Sequence, residues 1–257
     1  MIKGGEFLIK NQEAKDIFIP EEFGEDQLMM ASATKEFVEK ELDPHRQRFE
    51  KKDYKLTEDC MKKAGELGLL GISVPAEYGG MGMPFNTSVL ICDKISGANG
   101  SFSTAFGAHT GIGTLPILLY GNDEQRKKYL PKLSTGEWMG CYCLTEPGAG
   151  SDANSGKTKA VLTKDGKHYL ITGQKMWISN AGFADVFIVF ARIEDDKNIT
   201  GFILEKEMEG ITMGEEEYKL GLNSSSTRQV FFNDVKVPVE SMLGGRGNGF
   251  KIAMNAL

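Results

Sequence analysis

CYCLTEPGAGSD, residues 141–152, followed by KMWISN, residues 175–180, is where the reading of this chain turns. A strand-like run containing Tyr142 and Leu144 empties into a loop of small residues, Pro147 to Ser151. Its two glycines let backbone N–H groups approach a bulky ligand without side-chain interference. The second segment sets Trp177 beside Ser179 and Asn180, an aromatic face next to hydrogen-bonding groups. Together they predict one composite pocket for a flat, phosphate-bearing cofactor.

The texture of the sequence changes close to this stretch. Before residue 138 apolar residues recur at helical spacing: Leu28, Ala31, Val38 and Leu42 behind a cap at Asp26, then Cys60, Ala64 and Leu67 in a helix opened by Thr57. Helical spacing resumes at Ile91, Ile95 and Ala98, runs from Phe102 to about Tyr120, and returns after Asp123 until Pro131 stops it. The Gly-rich PAEYGGMGMP, Pro75 to Pro84, reads as a loop. After residue 138 come short β-branched and aromatic runs separated by turns: 157–162, 167–172, 186–191, 201–204 and 230–232. Lys164-Asp165-Gly166-Lys167 is a hairpin signal. With no helices between them, these strands predict an antiparallel sheet, closed into a barrel or folded as a sandwich. The fold class is therefore α+β. Residues 1–24 form an extension, 25–137 a helical domain, 138–240 a β domain, and 241–257 the start of a further helical domain. From Gly249 the chain turns helical for about two turns without a closing signal, so the expectation is a fragment cut inside a helix.

Composition excludes several function classes. The 30 basic and 36 acidic residues leave a net charge of −6, and the basic ones are interspersed, which argues against nucleic-acid binding. No apolar run is long enough for a transmembrane segment and the N-terminus lacks a secretory signal, so a cytoplasmic protein is expected. The four cysteines, Cys60, Cys92, Cys141 and Cys143, form no CxxC pair and read as reduced, packed thiols. The three histidines, His45, His109 and His168, lie at no metal-ligand spacing, and packing or surface roles suit them. GAGSDA, residues 148–153, spells a dinucleotide fingerprint, but a strand-like GKTKAVLT follows where that motif opens a helix. GSDANSGKT, residues 150–158, misses the phosphate-loop spacing by one residue.

At this point the chain resembles the flavin-dependent acyl-CoA dehydrogenases. The likeness runs from about residue 25 to 257 and rests on AEYGGMG, QRKKYLPKLSTGE, CLTEPGAGSD, KMWISNAGFADVFIVFA and VFFNDVKVPVESMLGGRGNGFKIAM, in family order. In detail it looks most like the very-long-chain branch. The resemblance implies a helical domain, a middle β-barrel and a C-terminal helical bundle. It implies FAD as cofactor, with contacts from Tyr142, Leu144, Thr145, Gly150 and Ser151, Thr145 bonding the reactive ring and Ser151 reaching pyrophosphate or the CoA of the substrate. Trp177 and Ser179 would flank the isoalloxazine, Ile178 adding backbone; the family often has Thr where Ser179 keeps the hydroxyl. It also implies an acyl-CoA substrate, electron-transfer flavoprotein as electron acceptor, a homo-oligomer at full length, and a catalytic glutamate lying beyond Leu257. Glu146, tempting as a substitute base, is expected to be a structural carboxylate. Two other classes share these motifs: a flavin or acyl-CoA binding module without catalysis, told apart by bound flavin colour in the purified chain, and a flavin oxidase or monooxygenase, told apart by peroxide production.

Overall fold

The computed structural model describes residues 5–257. Short 3-10 turns precede α1 (Glu25–Phe37), which runs on through a π turn at Val38–Leu42. There follow α2 (Arg46–Glu50), α3 (Tyr54–Glu66), α4 (Phe85–Ala98), α5 (Gly100–Gly107), α6 (Leu115–Tyr120) and α7 (Asp123–Thr135). The strands are β1 (Gly140–Cys143), β2 (Lys159–Leu162), β3 (His168–Ser179), β4 (Val186–Ile193), β5 (Thr200–Glu205), β6 (Ile211–Glu216), β7 (Thr227–Pro238) and β8 (Met242–Leu243), before α8 (Gly249–Ala256).

The helices pack around phenylalanines. Phe102 stands 6.1 Å from Phe37, 5.9 Å from Phe49 and 6.4 Å from Phe106, ring centre to ring centre, with Leu42, Met61, Ile91 and Ile95 closing the core. Several starts and stops differ from the expectation. Helix α1 begins one residue before Asp26, behind Gly24, whose N–H bonds to Gln27. Helix α3 is capped by Asp53, whose carboxylate accepts from the Leu56 N–H at 3.1 Å. Thr57 is buried instead and donates to the Ser224 carbonyl of the β domain. Pro131 does not end α7, which continues to Thr135 and stops at left-handed Gly136. The proline removes one helical N–H, but Tyr129, Leu130 and Leu133 are buried from the same helix and outweigh that loss. The span from Phe102 to Tyr120 is broken between α5 and α6 by a π turn at Ala108–Gly113.

The strand order is β6-β7-β3-β2-β4-β5-β8, and β1 lies on β4. Most pairs are antiparallel, as the uninterrupted strand succession predicts. Two are parallel, β1 with β4 and β2 with β4. β4 takes β1 along its first half and β2 along its second, so it belongs to both layers. Between the layers lie Cys141, Cys143, Phe187, Val189, Phe202, Leu204, Val230 and Phe232. The other faces of β1, β4 and β5, carrying Tyr142, Val186, Ile188 and Ile203, pack against Ile117, Tyr129, Leu133 and Ile252. That double burial explains why β4 reads as one continuous apolar run. Strand β6, with Gly214 and three glutamates nearby, carries too little apolar alternation to be read from sequence.

The hairpin at residues 164–167 forms as expected, with left-handed Gly166 bonded to the Thr163 carbonyl. No helix opens at GAGSDA: a 3-10 turn, Ala153–Ser155, leads into β2, so the rejection of the dinucleotide motif stands. All four cysteines are free thiols, and Cys141 and Cys143 are fully buried on one face of β1. Burial, the contact with Cys143, and Asp185 push the Cys141 thiol well above the usual range. No helix of the described residues is long and apolar enough to cross a membrane.

Candidate cofactor and substrate site

Strand β3 delivers Trp177 through an irregularity in its pairing. Lys175 faces Val230 and Ile178 faces Arg228, so three steps on β3 match two on β7. The extra residue is absorbed by Trp177 itself, whose φ of 57° lies in the left-handed region. An indole there is costly for the backbone, and the fold holds it with 61% of its surface exposed, at the edge of a cavity. Plain core packing is thereby ruled out for Trp177. Strand β1 meanwhile runs out into Leu144 and Thr145, and the Met176 N–H bonds to the Thr145 carbonyl at 2.9 Å. This bond, with those from the Lys175 ammonium to the Leu144 carbonyl and to Glu146, sets the two opening segments side by side.

The cavity has a volume of about 410 Å³. All eight residues singled out for the cofactor line it: Tyr142, Leu144, Thr145, Gly150, Ser151, Trp177, Ile178 and Ser179. Ile112, Ala153, Met254 and Leu257 complete the wall. Of these, Met254 lies on α8 and Leu257 directly follows it, both exposed and off the face that the helix buries. Ile112 could not have been found from periodicity, because the π turn that aims it has no sequence period. The Tyr142 hydroxyl donates to the Ala253 carbonyl, fastening α8 to β1.

The chemistry of this wall fits a flavin cofactor. Among the described residues, the polar side-chain atoms of Thr145, Ser151, Trp177 and Ser179 make no hydrogen bond to protein, leaving their donors and acceptors available to a ligand. At Gly148 and Gly150 an added Cβ would meet no protein atom within 4 Å, so the loop backbone faces open space. An exposed indole, free hydroxyls and bare backbone are what a planar ring carrying polar edges and a phosphate requires.

Glu146 faces the other way. Its carboxylate binds the Lys175 ammonium at 2.7 Å and accepts from the Lys157 and Thr158 N–H groups. Burial works to raise its pKa, yet Lys175 and these hydrogen bonds hold it below the usual carboxylate range. It is a structural carboxylate and no base for the cavity. No Asp, Glu or His stands among the cavity residues.

A second, apolar cavity of about 220 Å³ lies in the helical domain, lined by Ile72, Phe85, Val89, Phe106, Gly107 and Gly111 among others. The π turn separates the two: Gly111 lines the apolar cavity and the next residue, Ile112, lines the larger one. His109 holds that turn in place. Its Nε2 lies 2.9 Å from the Leu133 carbonyl and its Nδ1 3.0 Å from the Gly140 nitrogen. A carbonyl only accepts and an N–H only donates, so Nε2 carries the proton and Nδ1 is bare. His109 is thus a packing residue, as its spacing predicts.

A helical domain and a β domain with a cavity along their junction define a two-domain protein of the α+β class. Models of the acyl-CoA dehydrogenase N-terminal domain and of the acyl-CoA dehydrogenase middle domain match residues 24–137 and 141–235. The chain belongs to the acyl-CoA dehydrogenase family. A probable acyl-CoA dehydrogenase of Bacillus subtilis (strain 168) is 48% identical over 255 residues, covering 99% of this chain and 43% of that protein. The mitochondrial very long-chain specific acyl-CoA dehydrogenase of Rattus norvegicus is 41% identical over 211 residues, 79% of this chain and 32% of that protein. The crystal structure of an acyl-CoA dehydrogenase from Bacillus anthracis, complexed with FAD, superposes with a TM-score of 0.95 at 46% identity, covering all of this chain and 44% of that one. The chain thus spans less than half the length of these relatives.

Proposed function

We propose that this chain holds FAD and the CoA end of the substrate in an acyl-CoA dehydrogenase that converts fatty acyl-CoA to trans-2-enoyl-CoA, with electron-transfer flavoprotein as electron acceptor. The observation that carries this reading is the convergence of Thr145, Ser151, Trp177 and Ser179, unbonded to protein, on one cavity wall. When bound, FAD supplies a hydride acceptor for the β carbon of the thioester. The Trp177 indole, exposed at the cavity, would shield the ring from water. Thr145 and Ser179 would offer hydroxyls to the ring's polar groups, and Ser151 with Gly150 would hold phosphate. The apolar cavity beside the π turn receives the acyl chain, since its lining offers aliphatic and aromatic side chains with glycines at 107 and 111.

Proton removal α to the thioester needs a carboxylate near the cavity, and none lines it. We assign that base to a part of the relatives' length that this chain does not cover. The purified 257-residue chain is therefore expected to bind FAD and to leave palmitoyl-CoA unoxidised in a dye-reduction assay. Turnover at the rate of an ordinary dehydrogenase would place a base within this chain and sink the assignment. A chain that takes up no flavin from an FAD titration would remove the cofactor reading. The proposal includes a cytoplasmic setting, in which the four free thiols stay reduced, and a homo-oligomer at full length.

A further inference from the structure

Loop 144–158 supplies Leu144, Thr145, Gly150, Ser151 and Ala153 to the cavity wall, yet it is irregular backbone, so something other than a strand ladder must set its shape. Glu146 closes it twice. Its backbone exchanges two hydrogen bonds of 3.1 Å with Ala149, making a tight turn over Pro147 and Gly148. Its side chain then accepts from the Lys157 N–H, eleven residues along, at 2.6 Å and from the Thr158 N–H, twelve along, at 3.1 Å. Gly156 is needed for this, because a Cβ there would stand 2.9 Å from the Glu146 Oε1.

Lys175 ties the closed loop to β3. Only 2% of its side chain is exposed, and its Nζ donates to the Leu144 carbonyl at 3.1 Å and to Glu146 Oε1 at 2.7 Å. The lysine thus grips the loop at two successive turns of the chain, two residues before Trp177. Thr145 lies between the two gripped residues, and its own carbonyl is taken by the Met176 N–H. A lone lysine is not kept this deep for stability, since a buried pair is commonly no better than an apolar pair of the same volume. What the pair adds over apolar contact is direction: hydrogen bonds fix the carbonyl of Leu144 and the carboxylate of Glu146 at defined angles.

We propose that the buried Lys175–Glu146 pair is a positioning device for the cofactor, pre-setting Thr145 on the loop and Trp177 on β3 as opposite parts of one wall. Neither residue lines the cavity. The inference rests on the flavin reading of the cavity, and its test separates the two. Lys175→Met combined with Glu146→Gln removes both charges while keeping side-chain volume close to the original. The expected result is a melting temperature within a few degrees of the parent, FAD affinity at least tenfold weaker by equilibrium dialysis, and a shifted visible absorption band for the flavin that still binds. A folded double variant that binds FAD as tightly as the parent, with the same band, overturns the proposal. If the variant does not fold, hydrogen exchange on the parent decides: Lys157 and Thr158 amides protected like those of β4 support the brace, and amides exchanging like those of an exposed turn overturn it. A parent chain that binds no FAD speaks against the flavin reading, and the same exchange measurement still decides whether the loop is braced.

Discussion

At position 177, glycine is expected to give a more stable chain than alanine, the reverse of their usual order within a strand. Trp177 has a φ of 57° at the irregularity of β3. An L-residue in the left-handed region costs about 1–2 kcal/mol, whereas glycine adopts it freely. In an ordinary strand glycine is the worse residue by roughly 0.5–1 kcal/mol. Here the strain outweighs that difference, and Trp177→Gly should melt a few degrees above Trp177→Ala, at ~2–4 °C per kcal/mol for a chain of this size. Both variants lose the indole face and should bind FAD at least about tenfold more weakly, the equivalent of roughly 1.4 kcal/mol. Thermal melts paired with flavin titrations read both effects. An alanine variant as stable as the glycine variant would show that the backbone is not strained there.

Replacing His109 by leucine should cost stability beside the site without removing any residue of the cavity wall. The imidazole Nδ1 accepts from the buried Gly140 N–H, which the substitution strands, whereas the Leu133 carbonyl keeps the Gly136 N–H as a donor. A stranded buried N–H costs about 1–3 kcal/mol, so His109→Leu should lose roughly that much, a fall in melting temperature on the order of 5 °C. Beyond that, the histidine makes stability depend on pH. Burial pulls its pKa from 6.5 to about 4, against the opposing effect of the hydrogen bond to Leu133. The folded chain therefore keeps it neutral while the unfolded chain protonates it. This contribution is complete above pH 6.5 and is lost as the pH falls from there through about 4. Between pH 7 and pH 5 the loss from this residue should be roughly 2 kcal/mol. Urea unfolding of parent and variant at the two pH values isolates it, since the carboxylates common to both cancel in the difference. An equal pH dependence in both would mean that His109 is protonated in the folded chain.

The extent to which the site could be read in advance differed with the kind of residue. Tyr142, Thr145, Ser151, Trp177 and Ser179 stand in motifs whose residue types declare their use, and the structure brings all of them to one cavity. Glu146 was legible as structural because its surroundings are small and turn-forming, but its partner was not. Lys175 lies 29 positions away and its burial depends on β3 passing beneath the loop. Ile112 was invisible for a related reason: a π turn shifts side chains off the helical period that sequence patterns report. The true cap of α3 was missed because Asp53 and Thr57 offer equivalent chemistry, and only the packing of Thr57 onto Ser224 decides between them.

What the sequence by itself determined is the division into helical and β regions, the family, and the residue types of the cofactor wall, because periodicity and short motifs are local properties of a chain. The tertiary structure alone decided which of those residues meet. The parallel seating of β1 on β4, the left-handed turn of Trp177 and the grip of Lys175 on loop 144–158 each depend on segments far apart in sequence. Their energies come from close packing and from hydrogen bonds made in buried surroundings, and neither exists until the distant partners are in place.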